Sequence, residues 1–313
     1  MGRMHADEHT IDTALVRRLV RGQFPRWADL PVTPLASGGT VNAVYRLGDG
    51  LTVRLPLTAG GAGDIAKEAR VLPALGGLPV AVPAVVAVGE PAEGYPWPWA
   101  VHGWLDGSPA LEGRDAPAHD LAEFVRALRA HPADGPPAFR GQPLSTVDTA
   151  TRRAIEELRR IDEPFDAEAA LAVWAEALEA PQWTGAPCWV HADLMPSNLL
   201  LRDGRLSGVL DWATAGLGDP AIDLIPAWNL LTAETRPTFR DAVGGDDATW
   251  ARGRGRALSM AVIQLPYYRN TNPVISANAR YVLTELGVLT SCRRPAGPTA
   301  GRAGSGSRPC RRP

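Results

Sequence analysis

Trp189-Val190-His191-Ala192-Asp193-Leu194-Met195-Pro196-Ser197-Asn198-Leu199-Leu200-Leu201, with Val209-Leu210-Asp211-Trp212 following shortly after, is the stretch that organises the chain. Asp193 and Asn198 bracket a polar loop. The apolar run from Asn198 to Leu201 predicts a strand. Arg202-Asp203-Gly204-Arg205 predicts a tight turn, because Asp-Gly supplies the positive-φ positions of a short hairpin. Leu206 to Leu210 predicts the returning strand, which ends on Asp211. Strands joined this tightly place Asn198 and Asp211 at the same end of the hairpin, with Asp193 on the loop leading in. The result is an oxygen-rich site for a hard cation, with one carboxylate left over to act as a base.

The chain around this stretch has 313 residues, enough for two modest domains or one large one. Its 45% hydrophobic and 21% charged residues are the proportions of a soluble globular enzyme. No run of 18 apolar residues occurs, so no membrane span is expected. Met1 to Thr10 is polar and does not read as a secretory signal. Cys188, Cys292 and Cys310 have neither metal-ligand nor disulfide spacing, and a reduced, cytoplasmic setting is expected. The net charge of −2 conceals an asymmetry. Removing the six arginines after Ser291 from the 32 basic residues leaves 26 against 34 acidic ones, so residues 1–290 carry −8. An acidic body argues against a nucleic-acid partner and is compatible with a cationic small molecule or with plain solubility. Lys67 is the single lysine.

Read in order, Ile11 to Gln23 carries a helical stripe at Ile11, Leu15, Leu19 and Val20. Pro34 to Pro56 predicts strands around the turn Gly48-Asp49-Gly50. Ser37-Gly38-Gly39-Thr40 lies between these strands, where glycines let backbone N–H groups approach phosphates, although such a turn is often only a turn. Thr58 to Gly63 reads as a loop and Asp64 to Leu75 as a helix capped by Asp64. Ala84 to Val88 and Ala100 to Leu105 read as strands. From Asp115 onward helices dominate: Ala118 to His131, Thr149 to Ile161, Ala167 to Leu178, Pro220 to Leu231, Thr249 to Gln264 and Val274 to Leu289. Pro132 to Pro143 reads as a Pro/Gly-rich link. The expected fold is α+β and two-lobed, a small antiparallel-sheet lobe over residues 1–103 and a larger helical lobe over residues 104–290. Residues 291–313, rich in Arg, Gly and Pro, are expected to form a disordered tail.

His191-Ala192-Asp193…Asn198, followed by Leu210-Asp211-Trp212…Gly218-Asp219-Pro220-Ala221-Ile222-Asp223-Leu224, resembles the paired blocks of the aminoglycoside phosphotransferase family, the protein-kinase-like antibiotic and small-molecule kinases. The likeness extends over about residues 33–288. It implies a protein-kinase-like fold, with Asp193 as the catalytic base and Asn198 and Asp211 holding Mg2+ against the phosphates of ATP or GTP. It implies further that Ser37, Gly38 and Gly39 cover the phosphates and that Arg54, in place of the family's lysine, contacts them. Glu68 is then the ion-pair partner of Arg54, and the backbone of Gly103 and Leu105 meets the purine. Ala192 stands where the family has glycine. His191 reads as a support of the loop, Asp219 as a helix cap ahead of Pro220, and Asp223 as a brace.

The resemblance implies a phosphotransferase with an alcohol acceptor, a small molecule of which an aminoglycoside-type antibiotic or related amino sugar is the first expectation. A macrolide, amino-alcohol or sugar kinase is the alternative within the class. A nucleotide-binding pseudokinase is the alternative outside it.

Overall fold

The computed structural model describes residues 9–35, 41–111 and 117–289. The expected phosphate loop Ser37-Gly38-Gly39 and the Arg-rich tail lie outside these residues. Helix α1 (Thr13–Gln23) starts where Asp12 accepts the Leu15 N–H at 2.7 Å, and it buries Leu15, Val16, Leu19 and Val20. It packs beside a five-stranded antiparallel sheet in the order β1-β2-β3-β5-β4, made of β1 (Val32–Pro34), β2 (Asn42–Leu47), β3 (Leu51–Pro56), β4 (Val85–Gly89) and β5 (Trp99–Gly103). Strand β5 is interior to the sheet, and its residues Trp99 to His102 are all buried. Trp99 lies flat against Gly89, where any Cβ would come within 2.1 Å of its ring.

Helix α2 (Ala59–Val71) begins earlier than its sequence suggests. Thr58 precedes it in an extended conformation, and the glycine-rich segment expected as a loop forms the first turns. Each glycine weakens a helix by about 1 kcal/mol. Here the small residues permit close packing, since a Cβ on Gly61 would lie 2.7 Å from Val41 Cγ1. The helix tightens into a 3₁₀ turn at Leu72–Ala74, where Pro73 removes an N–H donor.

The second lobe contains α3 (Ala118–Arg129), α4 (Asp148–Arg159), α5 (Ala167–Glu179), α6 (Pro226–Asn229), α7 (Arg236–Val243), α8 (Asp247–Tyr268) and α9 (Pro273–Glu285). It also holds two small sheets, β6-β8-β9 and β7-β10, from β6 (Ser108–Pro109), β7 (Cys188–Val190), β8 (Leu199–Arg202), β9 (Arg205–Val209) and β10 (Gly216–Gly218). The helix expected from Pro220 to Leu231 is broken into a 3₁₀ turn, Pro220–Leu224, and the short α6, because Pro226 cannot donate to the preceding turn. Helix α8 runs through Pro266 to Tyr268 rather than ending at Gln264. Helix α7 was not legible as a separate element.

The link expected at Pro132 to Pro143 is pinned to β10. Ala138 N–H donates to Leu217 O at 2.9 Å, and Leu217 N–H donates to Pro136 O at 2.8 Å. The larger hydrophobic core joins α3 to α9 and includes Val71, Leu72 and Leu75 from the end of α2. The smaller one holds α1 and the five-stranded sheet. The fold is therefore α+β and two-lobed, with the end of α2 seated in the larger lobe. No helix among the described residues is long and apolar enough to cross a membrane.

Candidate active site

The loop that follows β7 is held from beneath. Asp223 is fully buried and accepts the N–H groups of His191 and Ala192, each at 2.8 Å. Ala192 takes φ +64°, a left-handed conformation that costs a non-glycine residue about 1–2 kcal/mol and that two hydrogen bonds sustain here. The His191 ring lies edge-on to Trp212, with Nε2 2.9 Å from Leu210 O and Nδ1 3.3 Å from the Asp193 N–H. The ring accepts at Nδ1, so Nε2 donates, and burial keeps its pKa below the ordinary range. His191 is thus a neutral tie between the loop and the strand that delivers Asp211.

Asp193 emerges next to Asn198. Asn198 Nδ2 donates to the Asp193 carbonyl at 3.0 Å and to its carboxylate at 3.2 Å. The expected hairpin is present: Asp203 and Gly204 have φ +53° and +73°, Leu199 pairs with Val209, and Leu210 N–H donates to Asn198 O at 2.8 Å. Asn198 and Asp211 therefore stand at one end of the ladder, Asp211 itself at φ +60°. Burial raises the Asp193 pKa, and the Arg140 guanidinium partly offsets this.

Above them Arg54 on β3 donates from Nη1 to both carboxylate oxygens of Glu68 on α2, at 2.9 and 3.0 Å, and its Nη2 reaches Asp211 Oδ1 at 3.1 Å. Burial opposes the charge on Arg54, but the two carboxylates outweigh it and hold its pKa above the ordinary value. Glu68 also accepts the Trp212 N–H at 2.9 Å. One carboxylate thus ties strand, helix and the segment after Asp211 together.

A cavity of about 330 Å³ opens between the lobes, lined on one side by Val41, Val44, Arg54, His102 and the segment Gly103–Leu105, and on the other by Asn198, Leu200, Leu210 and Asp211. At its rim the Gly103 N–H is committed to Ala84 O at 2.9 Å and the Trp104 N–H to Gly50 O at 2.8 Å. Among the described residues no three His, Cys, Asp or Glu side chains converge as metal ligands. Magnesium does not require such a cage: one or two side-chain oxygens suffice when phosphates and water complete its shell. The Asp211 carboxylate, 35% exposed, and the Asn198 amide oxygen line one cavity, and this hard-oxygen pair fits that role.

Two residues of this region escaped sequence reasoning. Arg140, in the supposed link, donates from Nη1 to Asp193 Oδ1 at 2.9 Å and to Ala192 O at 3.1 Å. A single arginine in an arginine-rich chain carries no signal of this. His102 on β5 is 2% exposed, and both its ring nitrogens lack a hydrogen-bond partner. Burial, reinforced by the Arg54 charge, pushes its pKa down to about 3, so the ring is neutral.

The two-lobed architecture, with an interlobe cavity above the Asp193–Asn198–Asp211 set, is that of a kinase-like phosphotransferase. The sequence profile of the phosphotransferase enzyme family (APH) matches residues 32–258, and the chain belongs to that family. Among solved structures it is similar to the GDP and kanamycin complex of APH(2'')-IIia, with a TM-score of 0.68 and 20% identity over 87% of this chain and 98% of that one. The streptomycin–ATP complex of APH(2'')-IIa gives a TM-score of 0.58 and 17% identity over 88% and 97% of the two chains. Macrolide 2'-phosphotransferase MphH from Brachybacterium faecium gives a TM-score of 0.57 and 23% identity over 86% and 97%. These likenesses are of fold. An uncharacterised protein of Bacillus subtilis, YcbJ, is 41% identical over 44 residues, and the match spans 14% of either chain.

Proposed function

We propose that this phosphotransferase moves the terminal phosphoryl group of ATP or GTP to a hydroxyl of a small molecule, with Asp193 as the base and Asn198 and Asp211 as the magnesium side chains. The observation that carries the reading is that Asn198 and Asp211 line the interlobe cavity while Asn198 donates to the Asp193 carboxylate at 3.2 Å. Residues 1–103 act as the nucleotide lobe and residues 104–290 as the catalytic lobe. The Gly103 carbonyl and the Leu105 amide meet the purine edge, and Arg54, anchored by Glu68, faces the phosphates. Ser37, Gly38 and Gly39 close over them. A reduced, nucleotide-rich cytoplasm suits these requirements.

Phosphoryl transfer needs positioning and charge neutralisation more than covalent help. Magnesium, when bound, neutralises charge on the nucleotide phosphates. Asp193 orients the acceptor hydroxyl and takes its proton on the carboxylate, whose basicity burial raises. Asn198 fixes that carboxylate from one side and Arg140 from the other. The similar structures bear kanamycin, streptomycin or, by name, a macrolide specificity. Amino sugars, macrolides, amino-alcohols and sugars are accordingly the acceptor classes to screen.

The test is Asp193→Asn assayed for turnover and for magnesium-dependent nucleotide binding. Turnover falls by about 10²- to 10⁴-fold while binding persists. Unchanged turnover removes Asp193 from the chemistry, and absence of nucleotide binding in the wild type removes the kinase reading altogether.

A further inference from the structure

Arg54 divides its guanidinium between two carboxylates. Nη1 donates to both oxygens of Glu68, and Nη2 donates to Asp211 Oδ1 at 3.1 Å. The two partners differ in kind. Glu68 is buried and also accepts the Trp212 N–H at 2.9 Å, so the Nη1 end is set in the fold. The Asp211 carboxylate is 35% exposed and lines the interlobe cavity, as Arg54 does. Among the described residues Nη2 is the one hydrogen-bond donor to that carboxylate. One end of the side chain is therefore structural, and the other lies on a group assigned above to magnesium.

The position of Arg54 is fixed by register. Strand β3 runs between β2 and β5, with Arg54 opposite Val44 on one side and Ala100 on the other. A lysine at this place carries one ammonium, a single point charge. The arginine fork has two ends, and one can change partner while the other keeps its place. The fork stays charged at all working pH values. A cation approaching Asp211 meets this charge at hydrogen-bond distance from Oδ1, and like charges a few ångströms apart repel more strongly in a partly buried site than in water. Phosphate oxygens can take the Nη2 end over, because a guanidinium bonds phosphate as it bonds carboxylate.

Resting on the phosphotransfer reading above, we propose that Arg54 is a latch on the metal-binding carboxylate. Without nucleotide, Nη2 holds Asp211 Oδ1 and competes with divalent cations for it. Nucleotide phosphates draw Nη2 away while Nη1 stays on Glu68, and Oδ1 is released to serve a cation. Metal binding thereby depends on nucleotide beyond what chelation by the phosphates supplies.

The experiment uses the full chain and Mn2+ as the metal probe, with free Mn2+ counted by electron paramagnetic resonance. The first comparison contains no nucleotide. Arg54→Met, Glu68→Leu removes one positive and one negative charge, so the net charge of the site is kept while the latch is lost. This double variant is expected to bind Mn2+ about tenfold or more tightly than the wild type. Adding Asp211→Asn to it abolishes the gain. Arg54→Lys, which keeps the charge and the Glu68 partner but has no second end, gives a smaller gain and serves if the double variant does not fold. The second comparison adds a non-hydrolysable ATP analogue. The wild type then gains more in Mn2+ affinity than the double variant does. Mn2+ binding no tighter in either variant than in the wild type, a gain that survives Asp211→Asn, or no Mn2+ bound by any of the proteins overturns the proposal. Absence of any thermal stabilisation by magnesium and the analogue strikes the phosphotransfer reading instead, and the comparison without nucleotide still decides the latch.

Discussion

Asp223 holds Ala192 in a left-handed conformation through one backbone hydrogen bond of 2.8 Å, and the neighbouring His191 N–H gives the same carboxylate its second. These bonds, rather than a glycine, set the path of the loop into Asp193. Asp223→Ala removes the acceptor of two buried donors, each worth about 1–3 kcal/mol. The expected outcome is a stability loss of about 3 kcal/mol or more in urea unfolding, together with a fall in kcat. A variant of wild-type stability and activity would show that the loop holds itself.

Arg54 and Glu68 form a buried ion pair, with side-chain exposures of 13% and 2%. Breaking such a pair from one side costs about 3–5 kcal/mol, whereas replacing both partners with apolar groups is often tolerated. Arg54→Met is therefore expected to destabilise by that amount. The double variant Arg54→Met, Glu68→Leu recovers much of the loss, short of the Trp212 N–H that it leaves unbonded. Urea denaturation of the two single variants and the double variant measures the coupling, and additive losses would refute it.

The neutral ring of His102 gives a pH dependence whose sign follows from its depressed pKa of about 3. The unfolded chain takes up this proton near pH 6.5 and the folded chain only near pH 3. Stability from this group is complete above about pH 6.5 and is lost as pH falls toward 3, with a slope of up to about 1.4 kcal/mol per pH unit. His102→Leu flattens the profile across this window. Parallel profiles of Tm against pH for variant and wild type would show that His102 is not the titrating group.

Gly216 is packed backbone against backbone: an added Cβ would lie 2.4 Å from Pro136 O and 2.6 Å from Ala138 N. Backbone atoms yield less than a flexible side chain. Gly216→Ala is expected to cost at least about 2 kcal/mol and to displace the segment that carries Arg140 to Asp193. Thermal unfolding and KM for the acceptor report the two effects. An unchanged Tm would mean that the segment shifts freely.

Local chemistry made the Asp193–Asp211 hairpin readable, because Asp-Gly dictates its turn and strand alternation its register. Helices with continuous apolar stripes, such as α1 and α3, were equally legible. Element ends were less so. Helix α2 starts at Ala59, and its Gly61 packs closely against Val41, a contact that no local pattern announces. The turn at Pro220–Leu224 and the short α6 appear where proline punctuation wins over periodicity.

From its sequence alone this chain determined the order of its parts: a strand-rich lobe, the His-Ala-Asp loop and the hairpin ending on Asp211. These are set by residue types at short spacings or by a regular element between them. Only the tertiary structure decided that Arg140 meets Asp193 across 53 positions of chain and that His102 is buried without a hydrogen-bond partner. Those relationships depend on which surfaces pack together, and a single charged residue in sequence carries no record of the charges it will face.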